Sequence, residues 1–219
     1  GNVFNCINLN LSLVSDILNL TGVVSLELMF NNCYSITTVN NINSWNTSAV
    51  TNMSSMFMNC TNFNQALSFN TSIVTNMSSM FINCTAFNSA LTFNTGAVTN
   101  MSFMFSNCLL FNQSLSFNTS LVDNMSFMFW DAAAFKQNIG SWNVANVTNF
   151  IGFMQNKTPL TWPTTYFDNL LCAWKLQTVV PSLTIDFGTA QFSNATGLAC
   201  KNVLTGAPNN WIVNSGGGI

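Results

Sequence analysis

The sequence predicts an α/β solenoid, with one short strand and one short helix in each coil of 24 residues and a cap at the C-terminal end. Three observations carry this prediction. A block of 24 residues recurs in phase at 49–72, 73–96 and 97–120. Within each block the apolar residues pass from a helical spacing to an alternating one. From residue 157 onwards the period is lost, and Pro159, Pro163 and Pro181 arrive. A unit of this size cannot bury its apolar face alone, and stacking on neighbours buries it.

The three blocks read AVTNMSSMFMNCTNFNQALSFNTS, IVTNMSSMFINCTAFNSALTFNTG and AVTNMSFMFSNCLLFNQSLSFNTS. A fourth, at 121–144, opens LVDNMSFMFWDAAAF and drifts into KQNIGSWNV. A fifth, ANVTNFIGFMQN at 145–156, is out of step by one residue. An earlier unit at 23–33, VVSLELMFNNC, precedes a three-residue insertion. The organisation expected is an N-terminal cap or degenerate coil at 1–22, a repeat solenoid at 23–156 and a C-terminal capping unit at 157–219.

Met53, Met56, Phe57 and Cys60 fall at i, i+3, i+4 and i+7, one face of a short helix. Thr51 or Asn52 precedes it as a cap, and Asn59 suits a left-handed exit. Leu67-Ser68-Phe69 then alternates as a half-buried strand does. A strand and a helix in a coil of this length match a leucine-rich-repeat-like unit.

Composition excludes several functions. Only 5% of the chain is charged and it has no His, against about 25% charge in an ordinary soluble domain. Four scattered Lys cannot neutralise a nucleic acid's phosphates, so no nucleic-acid partner is expected. Apolar runs are short and interrupted by Asn, Ser or Thr, so no membrane span is expected. With no His there is no Ser-His or Cys-His arrangement, and there is no Gly-rich phosphate loop. Asp123 and Asp131 are a weak signal for acid–base work. The chain is read as no enzyme, with no catalytic residue, no cofactor and no metal.

The stretch Phe135–Asn149, FKQNIGSWNVANVTN, and the recurrent Val-Thr-Asn-Met-Ser-x-Met-Phe resemble the BspA-like leucine-rich-repeat surface proteins. Tyr166-Phe167-Asp168-Asn169-Leu170-Leu171, Trp174, Gln177, Phe187-Gly188 and the closing Trp211-Ile212-Val213-Asn214-Ser215-Gly216-Gly217 resemble that family's C-terminal unit. The resemblance covers most of residues 23–217. It implies a cell-surface, extracellular or virus-particle-surface setting, and adhesion or protein–protein contact as the function. It brings no catalytic residue. The chain departs from the family in carrying Asn where Asp and Glu are usual, as at Asn52-Met53 and Trp142-Asn143. Less charge means less mutual repulsion, which favours dense packing of copies.

Other patterns admit two readings. Cys33, Cys60, Cys84 and Cys108 form a column that is either a metal or redox ladder or a file of buried small side chains. Helices stack about 10 Å apart, too far for disulfides between coils, so the buried reading is preferred. Cys172 and Cys200 stand apart from the column as a candidate disulfide if the protein is secreted, and Cys6 is either free or the start of the column. The Met column of Met56, Met80, Met104 and Met128 is read as core rather than a soft-metal site. Asn52, Asn76, Asn100 and Asn124 begin sequons in form.

Two functions compete. In the first, the chain is a structural or adhesive repeat protein that binds other protein chains, chiefly copies of itself. On the predicted helix, Met58, Ile82, Phe103, Phe127 and Trp130 face outward as an apolar stripe, the expected protein interface. In the second, it is a glycan- or ice-binding solenoid whose ligand ladder is Thr47, Thr71, Thr95 and Thr119. A buried Thr ladder that satisfies backbone groups is the alternative for those same residues.

Overall fold

The computed structural model describes residue 11 and residues 15–219. Cys6 and most of the predicted unit at 1–22 lie outside the described residues. A 3-10 turn occupies Ile42–Ser44. The remaining regular elements among the described residues are α1 (Thr164–Trp174), β1 (Thr184–Asp186), α2 (Gly197–Thr205) and β2 (Ile212–Asn214). All four therefore follow the repeats.

The helix expected in every repeat is absent, which corrects the reading of Met53, Met56, Phe57 and Cys60 as a helical face. A helix needs each N–H to reach the carbonyl four residues back. Here Met56, Met58 and Cys60 donate only three residues back, to Met53, Ser55 and Phe57, at 3.0–3.3 Å. The N–H groups between them leave the repeat. Those of Met53, Ser55, Phe57 and Asn59 donate to the carbonyls of Asn76, Ser78, Met80 and Ile82 in the next copy, all at 2.9 Å. Left-handed corners at Ser55 (φ 54°) and Asn59 (φ 62°) turn these peptides outward. Ser79 and Asn83, Phe103 and Asn107, and Phe127 and Asp131 repeat the pair. The segment is a run of tight turns hydrogen-bonded to its neighbours, and the same side chains still point inward.

Successive repeats consequently lie side by side in register. Parallel bridges join Asn52 to Asn76, Asn76 to Asn100, Asn100 to Asn124 and Asn124 to Asn149. Leu67 bridges Leu91 in the segment expected to be a strand. Ring centroids of Phe57, Phe81, Phe105 and Phe129 follow one another at 5.6–5.7 Å. That step is close to the roughly 4.8 Å of paired strands and well short of helix packing. Expecting about 10 Å between coils was therefore an error with the same origin as the helix.

One core runs the length of the described array. In the first full repeat it takes Val50, Met53, Met56, Phe57, Cys60, Phe63, Leu67 and Phe69, all buried. Phe57 and Phe63 stack within the repeat at 4.2 Å and on their counterparts in the next.

The C-terminal unit continues the ladder rather than abutting it. Phe150 bridges Ile185 of β1, and β1 pairs in parallel with β2, Ile185 opposite Val213. Helix α1 buries Phe167, Leu170, Leu171 and Trp174, a true i, i+3, i+4, i+7 stripe. Helix α2 buries Gly197, Cys200 and Leu204.

Candidate interaction surface

Two files of side chains follow the corners of the turn run. The first is Leu28, Ser55, Ser79, Phe103, Phe127 and Gly152, every one with φ between 53° and 64°. A left-handed backbone is ordinary for Gly or Asn and is an outlier for a bulky residue. Phe103 and Phe127 adopt it and stack at 4.8 Å, with their planes 15° apart. Both are half-buried. The second file is Met58, Ile82, Ser106 and Trp130. Met58 and Ile82 are half-buried and Ser106 is buried. Trp130 is 36% exposed and meets the edge of Phe127 at 6.3 Å. The three aromatic residues make one continuous wall that is neither inside the core nor free of the chain.

Each of the other residues singled out from sequence has a definite place. Thr47, Thr71, Thr95 and Thr119 are at most 2% exposed. Their hydroxyls donate to the carbonyls of Asn70, Asn94, Asn118 and Asn143 in the following repeat at 2.6–2.9 Å. This corrects their reading as a ligand ladder, because their side chains are spent on backbone groups of the turn. The exposed Thr file is Thr51, Thr75 and Thr99, whose hydroxyls donate to the preceding repeat at 3.3 Å. Asn52, Asn76, Asn100 and Asn124 are half-buried, and each accepts the N–H two residues on at 2.9–3.0 Å.

Cys33, Cys60, Cys84 and Cys108 are buried. The thiols of Cys60, Cys84 and Cys108 donate to the carbonyls of Phe30, Phe57 and Phe81 at 2.9–3.0 Å. Burial, and then the neighbouring Cys33, push the Cys60 thiol up to about 12. Burial likewise raises Cys84 and Cys108. Cys172 and Cys200 are joined in a disulfide between α1 and α2, with Cα atoms 4.9 Å apart. Among the described residues no cluster of His, Cys, Asp or Glu could hold a metal ion, and no helix is long and apolar enough to cross a membrane.

Sequence reasoning missed three features. Asn59, Asn83 and Asn107 form an amide ladder, each Nδ2 donating to the Oδ1 one repeat back, from Asn59 to Asn32 onwards, at 2.6–2.8 Å. The strict recurrence of Asn at this position was its signal. Gly152 leaves the space that the Phe127 ring fills. Lys157 takes the place of the column cysteine after Ala132 and is only 2% exposed. The one-residue shift of the fifth repeat hid this in the sequence. At the N-terminal end of the stack an apolar cavity of about 480 Å³ is lined by Leu18, Leu20, Val23, Leu26, Met29 and Trp45 among others.

No curated protein and no solved structure matches the chain. Three overlapping stretches, 3–93, 24–117 and 89–197, match one family, described as "Mycoplasma protein of unknown function, DUF285". Those stretches span the repeats and enter the C-terminal unit. Overlapping matches of this kind accord with the recurrence read along the chain, and the protein belongs to the DUF285 family.

Proposed function

We propose that the chain is a BspA-like repeat protein of an extracellular, cell-surface or virus-particle-surface setting. Its stacked repeats form a solenoid that acts through protein–protein contacts, in structure or adhesion, and not through catalysis. The single observation that carries this reading is the wall of Phe103, Phe127 and Trp130. Aromatic side chains on left-handed backbone cost on the order of 1 kcal/mol each. The equivalent positions in earlier repeats are Leu28, Ser55 and Ser79. The stack of repeats therefore does not require Phe there, and the strain is retained where it gives a half-buried aromatic face edged by the exposed Trp130. Phe and Trp are enriched at the desolvated centres of interfaces.

Two further observations support the setting. The disulfide between Cys172 and Cys200 suits an oxidising compartment. A surface of Asn, Ser and Thr with only 5% charge suits a molecule held close to its neighbours. The partner expected is another copy of the chain. The competing glycan- or ice-binding reading loses its ladder, because Thr47, Thr71, Thr95 and Thr119 are buried.

The test is the oligomeric state of the full chain across concentration, measured by light scattering after size exclusion. Assembly is expected, and replacing Phe127→Ser with Trp130→Ser should abolish it while leaving the far-ultraviolet circular dichroism unchanged. A wild-type chain that stays monomeric at high concentration, or a double variant that still assembles, overturns the self-association reading.

A further inference from the structure

Lys157 ties the last repeats to the C-terminal unit from both of its ends. Its side chain enters the core where the earlier repeats carry Cys60, Cys84 and Cys108. There Nζ donates to the carbonyls of Ala132 and Phe135, the latter at 2.7 Å. Nζ also lies 5.9 Å from the centroid of the Phe135 ring. At the other end, the Lys157 carbonyl accepts the N–H of Thr189 at 2.7 Å and its hydroxyl at 3.3 Å. Thr189 belongs to the turn after β1, and that turn presses on Lys157. A Cβ at Gly188 (φ 60°) would meet the Lys157 carbonyl oxygen and nitrogen at 2.5 and 2.7 Å. One residue therefore joins the array through its amine and the C-terminal unit through its backbone.

The amine is in an unusual position for a lysine. It is buried, and among the described residues it has no carboxylate in an ion pair. Asp131 lines a small cavity of about 50 Å³ beside it, together with Ala132, Gln155 and Thr161. Asp186 lies in β1 and accepts the N–H of Gly188 at 2.7 Å, so it holds the pressing turn instead of the amine. Lys136, next to Phe135, is exposed to solvent. A buried ammonium without a counter-ion is costly, whereas a neutral amine can donate to both carbonyls at little cost.

We propose that this junction is a proton-operated latch, closed around the neutral Lys157 amine and loosened when the amine takes up a proton. The bonds to Ala132 and Phe135 hold the end of the array, and the Thr189 turn closes over the same residue. When Nζ is protonated, the charge is better placed in water. The opening that solvates it also releases the Thr189 turn and β1. Burial brings the lysine down from its ordinary 10.5 to about 7, which sets the latch within the physiological range.

Amide exchange of the full chain, corrected for intrinsic rates, tests this at pH 6.0 and 8.5. If the open state restores the ordinary lysine value, the opening equilibrium around residues 154–189 should rise about 30-fold from the higher to the lower pH. Amides of Met53, Ser55, Phe57 and Asn59, far along the ladder, should not follow. In Lys157→Met, and in Lys157→Gln, the pH dependence around 154–189 should vanish. Three results overturn the latch. They are a wild-type junction whose exchange does not change with pH, a change shared equally by the distant repeat amides, and a folded Lys157→Met variant that keeps the dependence. Should both variants fail to fold, the two wild-type comparisons decide by themselves.

Discussion

The Phe127 ring lies in the space a side chain at residue 152 would need: a Cβ added to Gly152 would overlap Phe127 Cδ1 and Cε1. Gly152 also holds a φ of 64°. It is the end of the file that runs from Leu28 through Ser55 and Ser79, and it gives the last aromatic ring its seat. Gly152→Ala combines overpacking with an unfavourable left-handed backbone, so it should destabilise by at least about 2 kcal/mol. Denaturant unfolding measures this. In a Phe127→Ser background the steric part should disappear and leave only the backbone part. Equal costs in the two backgrounds would mean that the ring and the glycine are not coupled.

The amide ladder breaks at Asp131. Each Asn in the file gives its Nδ2 hydrogen to the residue one repeat back, as Asn107 gives to Asn83. Asp131 accepts from Asn156 at 2.6 Å but has no amide hydrogen to return to Asn107. Asp131→Asn restores the donor and keeps the acceptor. It should raise stability by about 0.5–1.5 kcal/mol, the net worth of one hydrogen bond. An unchanged or lower denaturation midpoint counts against a continuous ladder.

Alkaline conditions should weaken the fold through the thiol column. In the unfolded chain a cysteine ionises near its ordinary value of 9.0, while burial holds Cys60 protonated to about 12. The folded values are raised, so this stabilising contribution is complete below pH 9 and is lost as the pH climbs towards 12. The slope is about 1.4 kcal/mol per pH unit for each such thiol. A Cys60→Ala, Cys84→Ala, Cys108→Ala variant should show a shallower alkaline loss in thermal melts. The same thiols should resist labelling in the native chain at pH 8. Rapid labelling would contradict their burial.

Breaking the disulfide should loosen the C-terminal unit alone. It joins α1 to α2 across a sequence separation of 28, for which about 2–4 kcal/mol is typical. With Cys172→Ser and Cys200→Ser, protease cleavage should appear first within 157–219 while the repeats stay intact. Simultaneous loss of protection everywhere would show that the two parts unfold as one.

The period, and with it the inward column of Met53, Met56, Phe57 and Cys60, could be read directly from the sequence, because burial in register imposes it. The path of the chain between those residues could not. A spacing of i, i+3, i+4 and i+7 fits a helix, and it fits equally well a chain that turns sharply every few residues. The two differ in where the N–H groups point. That choice rests on left-handed φ at position 55, where Ser and Phe give no warning, and at Asn59, where the residue type does. The same ambiguity displaced the Thr file. Thr47 and Thr51 both recur exactly one repeat apart, and only the turn geometry sends one inward and leaves the other in solvent. Lys157 was obscured by the single-residue slip before Asn149, which moves it out of the cysteine column in sequence while keeping it there in space.

The in-register bridges from Asn52 through Asn76 and Asn100 to Asn124 make every internal junction a copy of the last. A whole repeat inserted in the middle would meet the same partners above and below, and both ends of the molecule would keep their chemistry. Each insertion moves those ends apart by one strand spacing, about 4.8 Å. The array is thus a ruler with discrete graduations, whose reach can be reset by unequal recombination between its own near-identical segments without redesigning any contact.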